Sequence, residues 1–149
     1  MQRKDYINSQ GVLNDMQPIL NSCAELKNYI DGIAFLSNVS RIAQSEVPGE
    51  GGKMDNKVIA SMISNFEDTA KNTFGADKTE LQYVTFMKQN KESQELAAWS
   101  IVFVPNTNYK LVFTGNLQGH KKNLQVHQAT VPDYVQDLLP LIEEYDRLT

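Results

Sequence analysis

Apolar residues recur at alternating spacings of four and three through Val12, Met16, Ile19, Cys23, Leu26, Ile30 and Ile33. This is the helical period, and it predicts a long amphipathic helix near the start of the chain. Asn14 or Asp15 stands where a cap is needed, with Pro18 in the first turn, where a missing N–H costs little. Asp31-Gly32 is expected to break or kink the run, because a mid-helix Gly costs about 1 kcal/mol relative to Ala. Residues 33–42 then continue the helix or start another. Residues 47–53, with three glycines and a proline, are the plainest loop in the chain. After it, Asp55 caps a second helix marked by Ile59, Met62, Ile63, Phe66, Ala70 and Phe74, with Gly75 at its end.

The period then changes from 3.6 to 2. Leu81, Tyr83, Thr85 and Met87 alternate with Gln82, Val84, Phe86 and Lys88, which predicts a strand. A second strand is expected over 96–104, with Trp99, Ile101 and Phe103 on one face. Turn residues at 105–108 lead into a third through Tyr109, Leu111 and Phe113, and Leu124 and Val126 predict a short fourth. A last helix is expected from about Thr130, either kinked at Pro140 or divided there into two short helices. The predicted fold is therefore α+β and a single domain over 1–149: a helical half (12–75), a β-rich half (80–128) forming a meander of about four antiparallel strands, and a terminal helix (131–148). Trp99, Ile101, Phe103, Leu111, Phe113, Ile59, Phe66 and Leu138 are the expected core.

With 41% hydrophobic and 21% charged residues among 149, the chain is neither a disordered tail nor a collagen-like fibre. One Cys excludes a disulfide framework. The longest apolar runs, 33–36 and 101–104, are far below the roughly 20 residues that span a bilayer. No apolar run follows the basic first residues, so a signal peptide is not expected and the chain is placed in the cytoplasm. A net charge of -4 disfavours nucleic acid as a partner.

Candidate chemistry is thin. His120 and His127 are seven apart, and on one strand an odd spacing sends them to opposite faces, so they do not converge on a metal. His127 is expected to face solvent. Cys23 falls on the apolar stripe and reads as a small buried hydrophobe rather than a nucleophile. The Gly52-Lys53 pair fails as a phosphate loop: Val47 stands where the first glycine belongs and Met54 where Ser or Thr belongs. Glu67-Asp68 and Glu143, Glu144 and Asp146 read as solvated helix faces. Neither a cofactor nor a metal is implied.

Two features remain. No acid occurs between residues 96 and 132, while Lys110, Lys121 and Lys122 do; from Asp133 onward five acids face Arg147 alone. Such segregation suits a charged partner as well as an internal match. The apolar stripe, together with Leu13, Leu20, Phe35 and Leu36 beside it, offers more surface than one packing partner covers. The expected function is a non-enzymatic protein-binding module of adaptor, chaperone or inhibitor type. It would bind a protein partner or a second copy through Met16, Ile19, Leu20, Leu26, Ile30 and Ile33, with Lys121 and Lys122 meeting an acidic partner. The alternative is a small-molecule or enzymatic domain with a pocket between sheet and helices, using Tyr83, Tyr109, Trp99 or His127.

Overall fold

A computed structural model describes residues 6–25, 27–38, 40–77 and 80–149. Helix α1 (Ser9–Asn21) starts earlier than the sequence suggests, because Asn8 accepts a hydrogen bond from the Gly11 amide at 3.1 Å and caps it. Pro18 is thus inside the helix rather than in its first turn. A short 3-10 turn (Ser22–Ala24) ends it. Two strands follow where helix was expected, β1 (Gly32–Leu36) and β2 (Arg41–Gln44). Helix α2 (Asn56–Phe74), capped by the Asp55 carboxylate on the Lys57 amide at 2.7 Å, leads to the meander β3 (Tyr83–Gln89), β4 (Leu96–Phe103) and β5 (Lys110–Asn116). The chain closes on α3 (Asn123–Leu148).

The five strands form one antiparallel sheet in the order β2-β1-β5-β4-β3. The meander therefore folds back so that β5 lies beside β1 at the centre. Helices cover both faces. On one, α1 and α3 press Met16, Leu20, Val131, Tyr134, Leu138 and Ile142 onto Ile33, Phe35, Val102, Leu111 and Phe113. On the other, Ile59 and Ile63 of α2 meet Ala34, Leu36, Trp99, Ile101, Phe103 and Val112. Trp99, Ile101, Phe103, Leu111, Phe113, Ile59 and Leu138 are buried as the alternation requires, and Phe66 is half-buried.

Three expectations from the sequence are corrected, each for a physical reason. β1 is buried at every residue because helices lie on both its faces, so it shows an unbroken apolar run rather than alternation. The fourth strand expected at Leu124 and Val126 is the first turn of α3, and its place in the sheet is taken by β1 and β2. The terminal helix consequently begins at Asn123, not near Thr130, and runs through both Pro132 and Pro140, which are exposed where an unpaired carbonyl reaches water.

Candidate functional site

The stripe expected to form a partner surface is largely internal. Met16, Leu20, Ile30 and Ile33 are buried in the core between α1, α3 and the sheet, and Ile19 is half-buried against it. Leu26 lies outside the described residues. Lys121 and Lys122 are exposed on the turn leading into α3. The structure thus leaves the stripe little free surface, because both of its edges are used by the chain's own sheet and terminal helix. Cys23 is buried and free, and burial pushes its thiol up from the ordinary range. Ellman's reagent is accordingly expected to label Cys23 slowly in the folded protein and completely in denaturant; fast native labelling would contradict its burial.

The four side chains considered for a pocket do not converge. Trp99 is buried on the α2 face, stacked on Phe86 with ring centres 5.8 Å apart and donating its indole N–H to Glu50 at 2.9 Å. Tyr109 is half-buried with Phe35 and Tyr145 at the far end of the other face. Tyr83 is exposed on β3. His127, expected in solvent, is completely buried.

The surroundings of His127 are the most polar part of the core. Its Nδ1 lies 2.7 Å from the Tyr29 carbonyl oxygen, which only accepts, so Nδ1 carries the proton and donates. Nε2 is then an acceptor, and the Ser100 hydroxyl donates to it at 2.8 Å. Ser100 in turn accepts from Thr85 at 2.8 Å, across the β3–β4 ladder. Burial pushes the imidazolium of His127 below its ordinary range, against the opposing pull of the Tyr29 carbonyl and the Asp31 carboxylate. A hydroxyl beside a neutral imidazole held by a third group has the arrangement of an activated nucleophile. Here Ser100 and His127 are both fully buried, so no substrate reaches them, and the cluster acts as a structural network.

An accessible surface lies on the opposite side of the sheet. On α2, Val58, Met62, Phe66, Ala70 and Phe74 recur every fourth residue and form one ridge. The ridge is distinct from the Ile59–Ile63 line that seats the helix on the sheet. Val58 is 52% and Phe74 66% exposed, while Met62, Phe66 and Ala70 are half-buried. The Phe66 and Phe86 ring centres are 6.2 Å apart, so the ridge continues onto β3 through Phe86 and Val84.

β3 is itself an edge of the sheet. The Phe103 amide donates to Gln82 and the Asn90 amide to Glu95, which fixes the ladder phase: Val84, Phe86 and Lys88 face β4 with their backbone groups. The N–H and C=O groups of Tyr83, Thr85, Met87 and Gln89 consequently point outward. This edge carries no proline and its register with β4 is unbroken, and its one charged side chain, Lys88, is paired with Glu50.

This architecture has counterparts among solved structures. An MglB structure with a tetrameric arrangement superposes with a TM-score of 0.60 at 9% identity, covering 90% of this chain and 92% of that one. The gliding protein MglB of Thermus thermophilus gives 0.53 at 10% identity over 97% and 95% of the two chains. A Roadblock/LC7 domain from Streptomyces avermitilis gives 0.53 at 11% over 85% and 97%. The chain has a roadblock/LC7-like fold. At these identities the likeness is one of fold, and neither a family model nor a curated protein matches the sequence. Sequence reasoning missed the α2–β3 surface, although the four-residue ridge from Val58 to Phe74 is readable in the spacing. A single apolar face merges Met62, Phe66, Ala70 and Phe74 with Ile59 and Ile63 and leaves Val58 out, which hides the second line. Among the described residues, no helix is long and apolar enough to cross a membrane.

Proposed function

We propose that this chain is a non-enzymatic protein-binding module that associates with a second copy of itself through the α2 ridge and the open edge of β3. The observation that carries this reading is the adjacency of the two features. Four residues with outward-facing backbone groups lie beside an apolar ridge exposed at both ends. A second β3, run antiparallel against the first, satisfies those groups and brings the two α2 ridges together, with the same surface serving both copies. One similar structure is an MglB in a tetrameric arrangement, which supports assembly as the use of this fold. The free cysteine suits a reducing compartment, and we place the protein in the cytoplasm.

Light scattering at micromolar concentration tests the assembly. The parent is expected to show the mass of two chains. Val58→Asp with Phe74→Asp places charge at the exposed ends of the ridge without entering the core and is expected to return a folded monomer. Met87→Pro, which removes an outward N–H while sparing the β3–β4 ladder, is expected to do the same. A parent that is monomeric throughout, or a dimer indifferent to both changes, would discard the proposed interface.

A further inference from the structure

We propose that the cleft between residues 47–53 and the ends of β3, β4 and β5 binds a small zwitterion, with Asp31, Glu50 and Glu95 receiving its ammonium and Lys53 its carboxylate. The cleft encloses about 380 Å³ on the α2 face of the sheet, within the roughly 300–1,000 Å³ of small-molecule sites. Its hollow has a cause in the sequence. One row of that face runs Phe86–Trp99–Thr114 across β3, β4 and β5, and Gly51 lies flush on it. A Cβ on Gly51 would meet Thr114 at 3.2 Å and the indole at 3.6 Å. The next row outward is Lys88–Ala97–Asn116, whose middle position supplies only a methyl group. No residue of α2 lines the space above it. Gly49, at φ +64, sets the other wall against Asp31: a Cβ there would stand 2.5 Å from Oδ1.

The groups around the hollow keep capacity that the fold does not use. Asp31 accepts from the Thr114 hydroxyl at 3.2 Å and the Asn116 amide at 3.1 Å, and among the described residues no cation pairs with it. Burial pushes its carboxyl up, against those two hydrogen bonds, and the Glu50 charge adds to the rise. Glu50 engages both the Trp99 indole and the Lys88 ammonium through Oε1, so Oε2 is left to accept. Glu95 and Lys53 are exposed, and neither side chain has a partner among the described residues. Asn90 and Asn116 spend their side-chain oxygens on turn amides at 2.8–3.0 Å, which leaves their NH2 groups to donate. Three carboxylates therefore face two lysines, one of them already spent on Glu50. A lone anion meets this surplus of negative charge, and a lone cation leaves Lys53 and the two amides unused. Among the described residues the acids do not converge closely enough to hold a metal ion. A molecule with a primary ammonium and a carboxylate, an amino acid or a short peptide, answers both sets of groups at once.

Trp99 is the single tryptophan and its N–H donates to Glu50, so its fluorescence reports on the cleft. Glycine, glycylglycine and triglycine, zwitterions of increasing length, are titrated into the intact chain at constant ionic strength. Methylamine and acetate are the half-charged controls. Calorimetry on the same mixtures registers any binding to which the indole is blind. At least one zwitterion is expected to saturate at millimolar concentration or below, and neither control should match it. Lys53→Gln and Glu95→Gln remove exposed charges without entering the core, and each is expected to weaken that binding by about three- to tenfold. Glu92→Gln, on the β3–β4 turn outside the cleft, should leave it unchanged. The proposal is overturned by the lack of a saturable signal with any zwitterion, or by equal binding of methylamine or acetate. It is equally overturned by an affinity indifferent to either Lys53→Gln or Glu95→Gln, or by a loss as large in Glu92→Gln.

Discussion

Alanine at Gly115 is expected to destabilise the protein by about 3 kcal/mol or more, far beyond what one methyl group normally costs. Its Cβ would stand 1.7 Å from the Tyr29 carbonyl oxygen, a backbone atom of a segment also tied through the Asp31 amide to Thr114. Relief requires lifting that segment, which breaks the Tyr29–His127 hydrogen bond and leaves a buried imidazole N–H without its acceptor. Gly11→Ala is the matched control. Gly11 lies inside α1, and the nearest heavy atom to its added Cβ is a side-chain carbon of Tyr6 at 3.4 Å. There the loss of backbone freedom in the unfolded chain dominates, and the change is expected to stabilise by about 0.5–1 kcal/mol. Urea midpoints for the two variants, shifted in opposite directions, verify both statements. Equal shifts would show that the close approach of residues 28–31 to β5 is wrong.

Phe113→Ala is expected to cost about 3–5 kcal/mol. Phe113 is completely buried at the middle of β5, the strand that both β1 and β4 pair with, and its ring lies 6.0 Å from that of Tyr134 on α3. The cavity left by truncation is bounded by two sheet neighbours and a helix, none of which can collapse into it without disturbing the others. Trp99 is the single tryptophan and is buried on the opposite face of the sheet, so its fluorescence follows unfolding without being altered directly by the substitution. A urea midpoint close to the parent's would mean that β5 is not the centre of the core.

Much of the fold was legible because several elements are half-buried. α2 shows its period and both ends, from the Asp55 cap to Gly75, because one side of it meets water. β3 is readable as a strand because part of it meets water: Tyr83, Met87, Lys88 and Gln89 are exposed while Val84 and Phe86 are half-buried against α2. β1 was illegible for the opposite reason. Sandwiched between α1 and α3 on one face and α2 on the other, it has no solvated side to impose a polar alternation, and its run from 33 to 36 joined the helical spacing that precedes it. His127 misled in the same way. Read with a strand through Leu124 and Val126 it falls on the opposite, solvated face, whereas in the first turns of α3 it turns inward, and only the facing Tyr29 carbonyl and Ser100 hydroxyl make its burial tolerable.

The candidate surface divides along the same line. The sequence by itself determined that the chain is α+β and that its aromatic and branched residues from 96 to 113 line a core; it located the surplus of apolar positions on the stripe from Val12 to Ile33 rather than on α2. Periodicity reports whether a residue meets water, and that is a local property of its element. It does not report which element supplies the cover. Only the tertiary structure decided that the stripe of α1 is covered by α3 and the sheet, whereas the ridge on α2 and the edge of β3 are left open beside one another. That assignment depends on β5 returning to pair with β1, a contact between residues some eighty positions apart, set by the packing of the whole chain rather than by any segment of it.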